Sequence, residues 1–150
     1  HSFPTRRSSD LRSVVKWEGK KASKKVERWQ KIAKEAAEQC HRNKIPLVAE
    51  PVSVKELVKI SSQYTHKLIA YEEEAREGES SVLSSTLAAM KPGETILFVF
   101  GPEGGLTQQE ISLLVDQGFK TCGLGPRILR TETAPLYTLA AVSYHFELLR

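Results

Sequence analysis

Two rhythms of apolar residues alternate along the 150-residue chain. Between Lys24 and Asn43, the residues Val26, Trp29, Ala33, Ala36, Ala37 and Cys40 recur at steps of three and four, the stripe of an amphipathic helix. Arg28, Glu35 and Arg42 fall seven apart and are expected to share another face of that helix. "IPLVAEP" (45–51) then reads as a short strand. "SVKELVKISSQ" (53–63) reads as a helix that Ser53 caps, with Glu56 completing a capping box. "HKLIAYE" (66–72) is a second strand, and the acidic run "EEEAREGES" (72–80) a solvated loop. A short helix is expected near Ser81–Met90, broken by "KPGE" (91–94).

"TILFVF" (95–100) changes the rhythm, because a continuous apolar run of strand formers predicts a central strand of a parallel sheet, buried on both faces. Thr107 and Glu110 form a second capping box, opening a helix that Gly118 closes. "FKTCGLG" (119–125) is the next strand, and after "PRILRTET" the segment from Ala134 to Leu149 is apolar enough to be a terminal helix packed on the sheet. Strands and helices alternate without a repeat. That predicts an α/β domain with a mainly parallel sheet and helices on both faces.

Composition narrows this picture. A hydrophobic content of 40% over 150 residues supports one domain with a real core and is too little for two. No stretch approaches the roughly 18 unbroken apolar residues of a membrane span, so a soluble, cytoplasmic protein without membrane contact is expected. Cys40 and Cys122 lack the spacing of a zinc site or a disulfide scaffold and read as reduced core residues; no metal is expected.

Charge adds an asymmetry. The net charge is +4, yet residues 1–31 hold ten Lys/Arg against three Asp/Glu, which makes the amino-terminal part a landing site for a polyanion such as RNA. Its structural alternative is a solvated tail. The first eleven residues, "HSFPTRRSSDL", show no periodicity and resemble an adapter-derived or disordered leader, leaving residues 12–150 for the domain.

Two loops carry candidate chemistry, and both are expected beyond the carboxyl ends of strands, where open α/β sheets bind ligands. In "GPEGG", Gly101, Gly104 and Gly105 let main-chain N–H and C=O groups line a ligand directly, and Glu103 can accept from a ligand hydroxyl or amine. A purely steric turn explains the same glycines. The motif has neither the spacing G-x-G-x-x-G nor a G-K-[ST], so neither NAD nor ATP is the natural ligand. In "LGPRILRTET", Arg127 and Arg130 stand just ahead of a helix N-terminus, where two cations cost stability unless an anion is near. Thr131 or Thr133 is the expected cap, with free N–H donors suiting the same anion. Pairing of Glu132 with one arginine is the structural alternative.

"FGPEGGLTQQEI", "LGPRILRTETA" and the upstream "RWQKIAKEAAEQCHR" together closely resemble the ribosomal RNA small subunit methyltransferase E family. The resemblance runs from about Arg12 to the C-terminus. It implies transfer of methyl from S-adenosylmethionine (SAM) to N3 of a uridine in 16S rRNA, the deep trefoil-knotted fold of the SPOUT methyltransferases, and a homodimer. By motif it assigns cofactor binding to Phe100, Gly101, Glu103, Gly104, Gly105, Leu124, Gly125, Arg127, Ile128 and Leu129. Arg127, Arg130 and Arg42 become candidates to stabilise the uracil anion, and Glu132 or a water to take its proton. His41 invites the same role, although a lone histidine on a charged helix is more often plain surface. The resemblance also implies a PUA-like RNA-binding domain ahead of the matched region, and because the chain begins near the linker, a fragment with a weaker grip on ribosomal subunits is expected. Rival readings are a SPOUT ribose 2′-O-methyltransferase, a non-catalytic RNA-binding module served by residues 12–31, and a Rossmann-like oxidoreductase.

Overall fold

The computed structural model describes residues 20–71 and 81–149. The leader and the acidic run 72–80 therefore lie outside the described residues. The chain forms two compact units, one ending at residue 54 and the other running on from residue 55.

The first unit contains α1 (Lys20–Gln39) and an extended segment after it. The helix ends four residues sooner than its periodicity predicts. His41 N–H donates to the Glu38 carbonyl (3.2 Å) and Arg42 N–H to the Ala37 carbonyl (2.9 Å), the paired bonds of a Schellman motif. His41 takes the left-handed position of that motif with φ 56°. Arg42 consequently lies past the helix, and the expected face shared with Arg28 and Glu35 does not exist. Residues 45–51, expected as a strand, join no ladder. Pro46 and Pro51 remove backbone donors, and a side chain takes the place of a neighbouring strand: Gln30 Nε2 donates to the Pro46 carbonyl (2.9 Å) while Val48 N–H donates to Gln30 Oε1 (2.8 Å).

In the second unit α2 (Val54–Ser61) leads to β1 (His66–Ala70), followed by α3 (Val82–Ala89), β2 (Ile96–Phe100), α4 (Gln108–Asp116), β3 (Lys120–Cys122) and α5 (Thr133–Ser143). The last helix widens into a π turn over Tyr144–Leu148 rather than continuing as a regular helix to Leu149. All described pairings are parallel, in the order β2–β1–β3, with Leu68 opposite both Phe98 and Lys120. This is a mixed α/β unit.

Among the described residues β2 is not the central strand that its unbroken apolar run suggests. It forms an edge of the described sheet, and each of its five residues is only half-buried. The central place belongs to β1, which has a neighbour on each side and carries the fully buried Leu68 and Ile69. Leu68, Phe98 and Cys122 share one face by strand parity and pack with Leu83 and Leu87 of α3 and with Ala141 and Val142 of α5. Burying a side chain such as Leu68 contributes about 1.5–3 kcal/mol. The predicted capping box of α4 forms completely: Thr107 N–H donates to Glu110 Oε2 (2.7 Å), and Glu110 N–H to Thr107 Oγ1 (3.2 Å). Gly118, at φ 83°, ends that helix. Among the described residues no helix is long and apolar enough to cross a membrane.

Candidate functional site

Parallel strands bring their carboxyl ends to one rim. Tyr71 N–H bonds to the Cys122 carbonyl (3.1 Å), carrying the β1–β3 ladder one residue further toward it. A cavity of about 200 Å³ opens there. Ala70 and Tyr71 line it from the end of β1, residues 100–106 from the exit of β2, and Leu124, residues 127–129, Thr131 and Ala134 from the loop after β3.

The exit of β2 is a turn folded back on itself. Gly105 N–H donates to the Pro102 carbonyl at 2.8 Å, and Gly105 has φ 69°, a conformation that side chains disfavour. At Gly101 a Cβ would stand 3.1 Å from the Leu106 nitrogen and 3.3 Å from Leu106 Cγ, so any side chain there would press the turn by a few tenths of an ångström. Gly104 differs: a Cβ there would meet nothing within 4 Å. Internal packing does not explain its lack of a side chain, and its backbone stands open at the cavity. The buried Glu110 carboxylate, which also accepts from the Thr107 hydroxyl (2.8 Å), anchors the far end of the turn to α4.

The loop after β3 is built differently. Arg130 C=O accepts both Thr133 N–H (2.9 Å) and Ala134 N–H (3.0 Å), and Pro135 has no N–H to offer. The free donors expected at this helix end are thus already used or absent. Neither Thr131 nor Thr133 caps it: the N-cap is Glu132, whose side chain makes no cap bond. The backbone turn at Arg130 does that work. Charge at this end resides in side chains, because Arg127 and Arg130 are exposed and, among the described residues, neither forms an ion pair with Glu132 or any other carboxylate.

Of the residues singled out from sequence, Phe100, Gly101, Glu103, Gly104, Gly105, Leu124, Arg127, Ile128 and Leu129 all border the one cavity. Gly125 does not line it; its φ is 92°, and a Cβ there would lie 3.6 Å from the Tyr137 hydroxyl. Arg130 and Glu132 flank the lining residue Thr131 without lining the cavity themselves. Arg42 belongs to the other unit. Sequence reasoning missed Ala70, Tyr71, Pro102, Leu106 and Ala134, and singled out Thr131 only as a helix cap. The rule that placed the exits of β2 and β3 at one rim would have placed the exit of β1 there too, so Tyr71 was within reach of it.

A glycine-rich backbone turn, a cationic loop and an apolar wall around one cavity suit a ligand with a flat ring, hydroxyls and an anionic partner. The family model of the RNA methyltransferase domain matches residues 9–143. The chain belongs to that family. It is 54% identical to the ribosomal RNA small subunit methyltransferase E of Bacillus subtilis over 93% of this chain and 54% of the relative. The Synechocystis protein of the same name is 38% identical, over 83% of this chain and 40% of the relative. The fold matches the crystal structure of the Neisseria gonorrhoeae ribosomal RNA small subunit methyltransferase E bound to SAM, with TM-score 0.68 and 35% identity, over 90% of this chain and 52% of that one. The methyltransferase domain described here thus spans about half the length of the relatives it matches.

Proposed function

We propose that this domain transfers methyl from SAM to N3 of a uridine in the 16S rRNA of the small ribosomal subunit, in the cytoplasm. One observation carries the reading: the glycine turn after β2 and the arginine loop after β3 border a single cavity, in a family with a SAM-bound relative.

The residues present fit that cofactor. Backbone groups of residues 101–105 suit its ribose and amino-acid polar groups, and Phe100, Leu124, Ile128 and Leu129 suit its adenine ring. At about 200 Å³ the cavity is smaller than the roughly 300–1,000 Å³ of ordinary ligand pockets, so it encloses part of such a molecule. A second subunit completing the wall accounts for the remainder. Leu136, Leu139, Tyr144 and Leu148 of α5 and the π turn, each more than half exposed, offer the apolar surface for a homodimer. The deep trefoil knot of the SPOUT fold is part of the same reading.

SAM supplies an electrophilic methyl on a sulfonium. The chain's own task is to hold uracil N3 in line with that methyl, so that the N–C bond forms as the S–C bond breaks, and to deal with the N3 proton. Arg127 and Arg130 offset the negative charge that deprotonation places on the uracil carbonyl oxygens, and Glu132 or a water accepts the proton. Positioning and charge supply most of the rate. Incubation with methyl-labelled SAM and unmodified small subunits, followed by nucleoside analysis, is expected to yield 3-methyluridine. A ribose-methylated nucleoside, or no label in RNA, contradicts the reading.

A further inference from the structure

The cations of α1 are not where helix electrostatics alone would put them. Lys20, Lys21, Lys24, Lys25 and Arg28 fall in its first nine positions beside one carboxylate, Glu27. The later part neutralises itself: Lys31 pairs with Glu35 at 3.8 Å and Lys34 with Glu38 at 3.7 Å, each one turn on. Lys24 and Arg28 are also one turn apart and exposed, yet neither has an ion-pair partner among the described residues. Among the described residues the cations of α1 gather in its amino-terminal half and none stands in its last turn, where the helix macrodipole would favour one. Lys24 and Arg28, exposed and without an ion-pair partner among the described residues, gain from an anion laid along them.

A lipid surface is a poor match. An interfacial helix sinks a broad apolar face, whereas on α1 Val26 and Trp29 are half-buried and Val26 shares a groove with Ile45 and Val48 of the same unit. A repeating anion fits better, because positions four apart rise about 6 Å along the axis and present a row of charge rather than one site. We propose that the basic half of α1, centred on Lys24 and Arg28, docks the phosphodiester backbone of RNA, without need of the carboxyl-rim cavity. The proposal rests on the RNA-directed reading above.

The test is fluorescence anisotropy with a labelled single-stranded RNA of about 20 nucleotides, without SAM, from about 50 to about 200 mM salt. Two variants remove the same charge: Lys24→Gln with Arg28→Gln, and Lys31→Gln with Lys34→Gln. The first is expected to weaken binding about tenfold and to flatten the log–log salt slope by about 1.4, two phosphate contacts at about 0.7 each. The second is expected to change affinity less than about threefold and to leave the slope alone. Circular dichroism checks that both stay helical. Equal losses from the two variants overturn the proposal, as does binding to anionic lipid vesicles in the absence of RNA binding. Since no cofactor is present, failure of methyl transfer would leave this result standing, and failure here would leave SAM binding untouched.

Discussion

The two ends of the sheet are built on opposite principles. At the amino ends polar groups answer one another: Thr65 N–H donates to Thr95 Oγ1 (3.2 Å), Thr95 N–H returns a bond to Thr65 Oγ1 (3.3 Å), and His66 Nε2 meets Glu94 Oε2 at 2.9 Å. Glu94 Oε2 also accepts from Lys91 N–H (2.9 Å), and Lys67 Nζ reaches the Gln117 carbonyl while lying 5.6 Å from the centre of the Phe119 ring. At the carboxyl ends Glu103, Arg127, Arg130 and Glu132 have no such partners among the described residues, and the backbone is left open at Gly104. The same three strands thus end in one rim that satisfies itself and one that leaves its charge to a ligand. Substitutions at the first should act on stability, and at the second on binding and turnover.

Gly101→Val is the harshest way to break this contrast. Its Cβ, 3.1 Å from a backbone nitrogen, forces the turn after β2 open, costing about 1–3 kcal/mol in stability and abolishing SAM binding by calorimetry. Arg127→Ala combined with Arg130→Ala sharpens it. Methyl transfer should fall about 10²–10³-fold, the scale of lost charge stabilisation, while thermal stability holds or rises because two unpaired cations are gone. A fall in stability with normal turnover would reverse the roles assigned to the rims.

At the amino rim, Thr65→Val with Thr95→Val should cost about 1 kcal/mol in chemical denaturation and leave SAM affinity unchanged. The smallest effect is in pH. Hydrogen bonding from His66, and then from Lys91 N–H, holds the Glu94 carboxyl below its ordinary 4.5. A depressed folded value means that the contribution is present above the unfolded value and is lost as pH falls through the folded one. Denaturation midpoints should therefore drop between about pH 5 and the folded value, and Glu94→Gln should flatten that part of the curve.

Local chemistry was the part of this molecule legible in its sequence. The Thr107–Glu110 box, the Gly118 stop and the meeting of both loops at one rim follow from spacing and from the sheet-rim rule, whereas Phe100, Leu124, Ile128 and Leu129 came from the family resemblance alone. What failed depended on neighbours. β2 read as central because an apolar run does not reveal how many strands flank it, and residues 45–51 read as a strand because an apolar run does not reveal that the Gln30 side chain takes the place of a neighbouring strand. At α5 the threonines pointed to a side-chain cap, but the Arg130 carbonyl and Pro135 had already settled the helix end. Arg42 shows the limit of periodicity, since a non-glycine residue, His41, takes the left-handed turn that cuts α1 short.

The central claim is that the two carboxyl-rim loops together hold SAM. A crystal structure of the protein grown with saturating SAM tests it most directly. Density for the cofactor is expected to touch both residues 100–105 and residues 124–129. Density elsewhere, or contact with only one of the two loops, would contradict it.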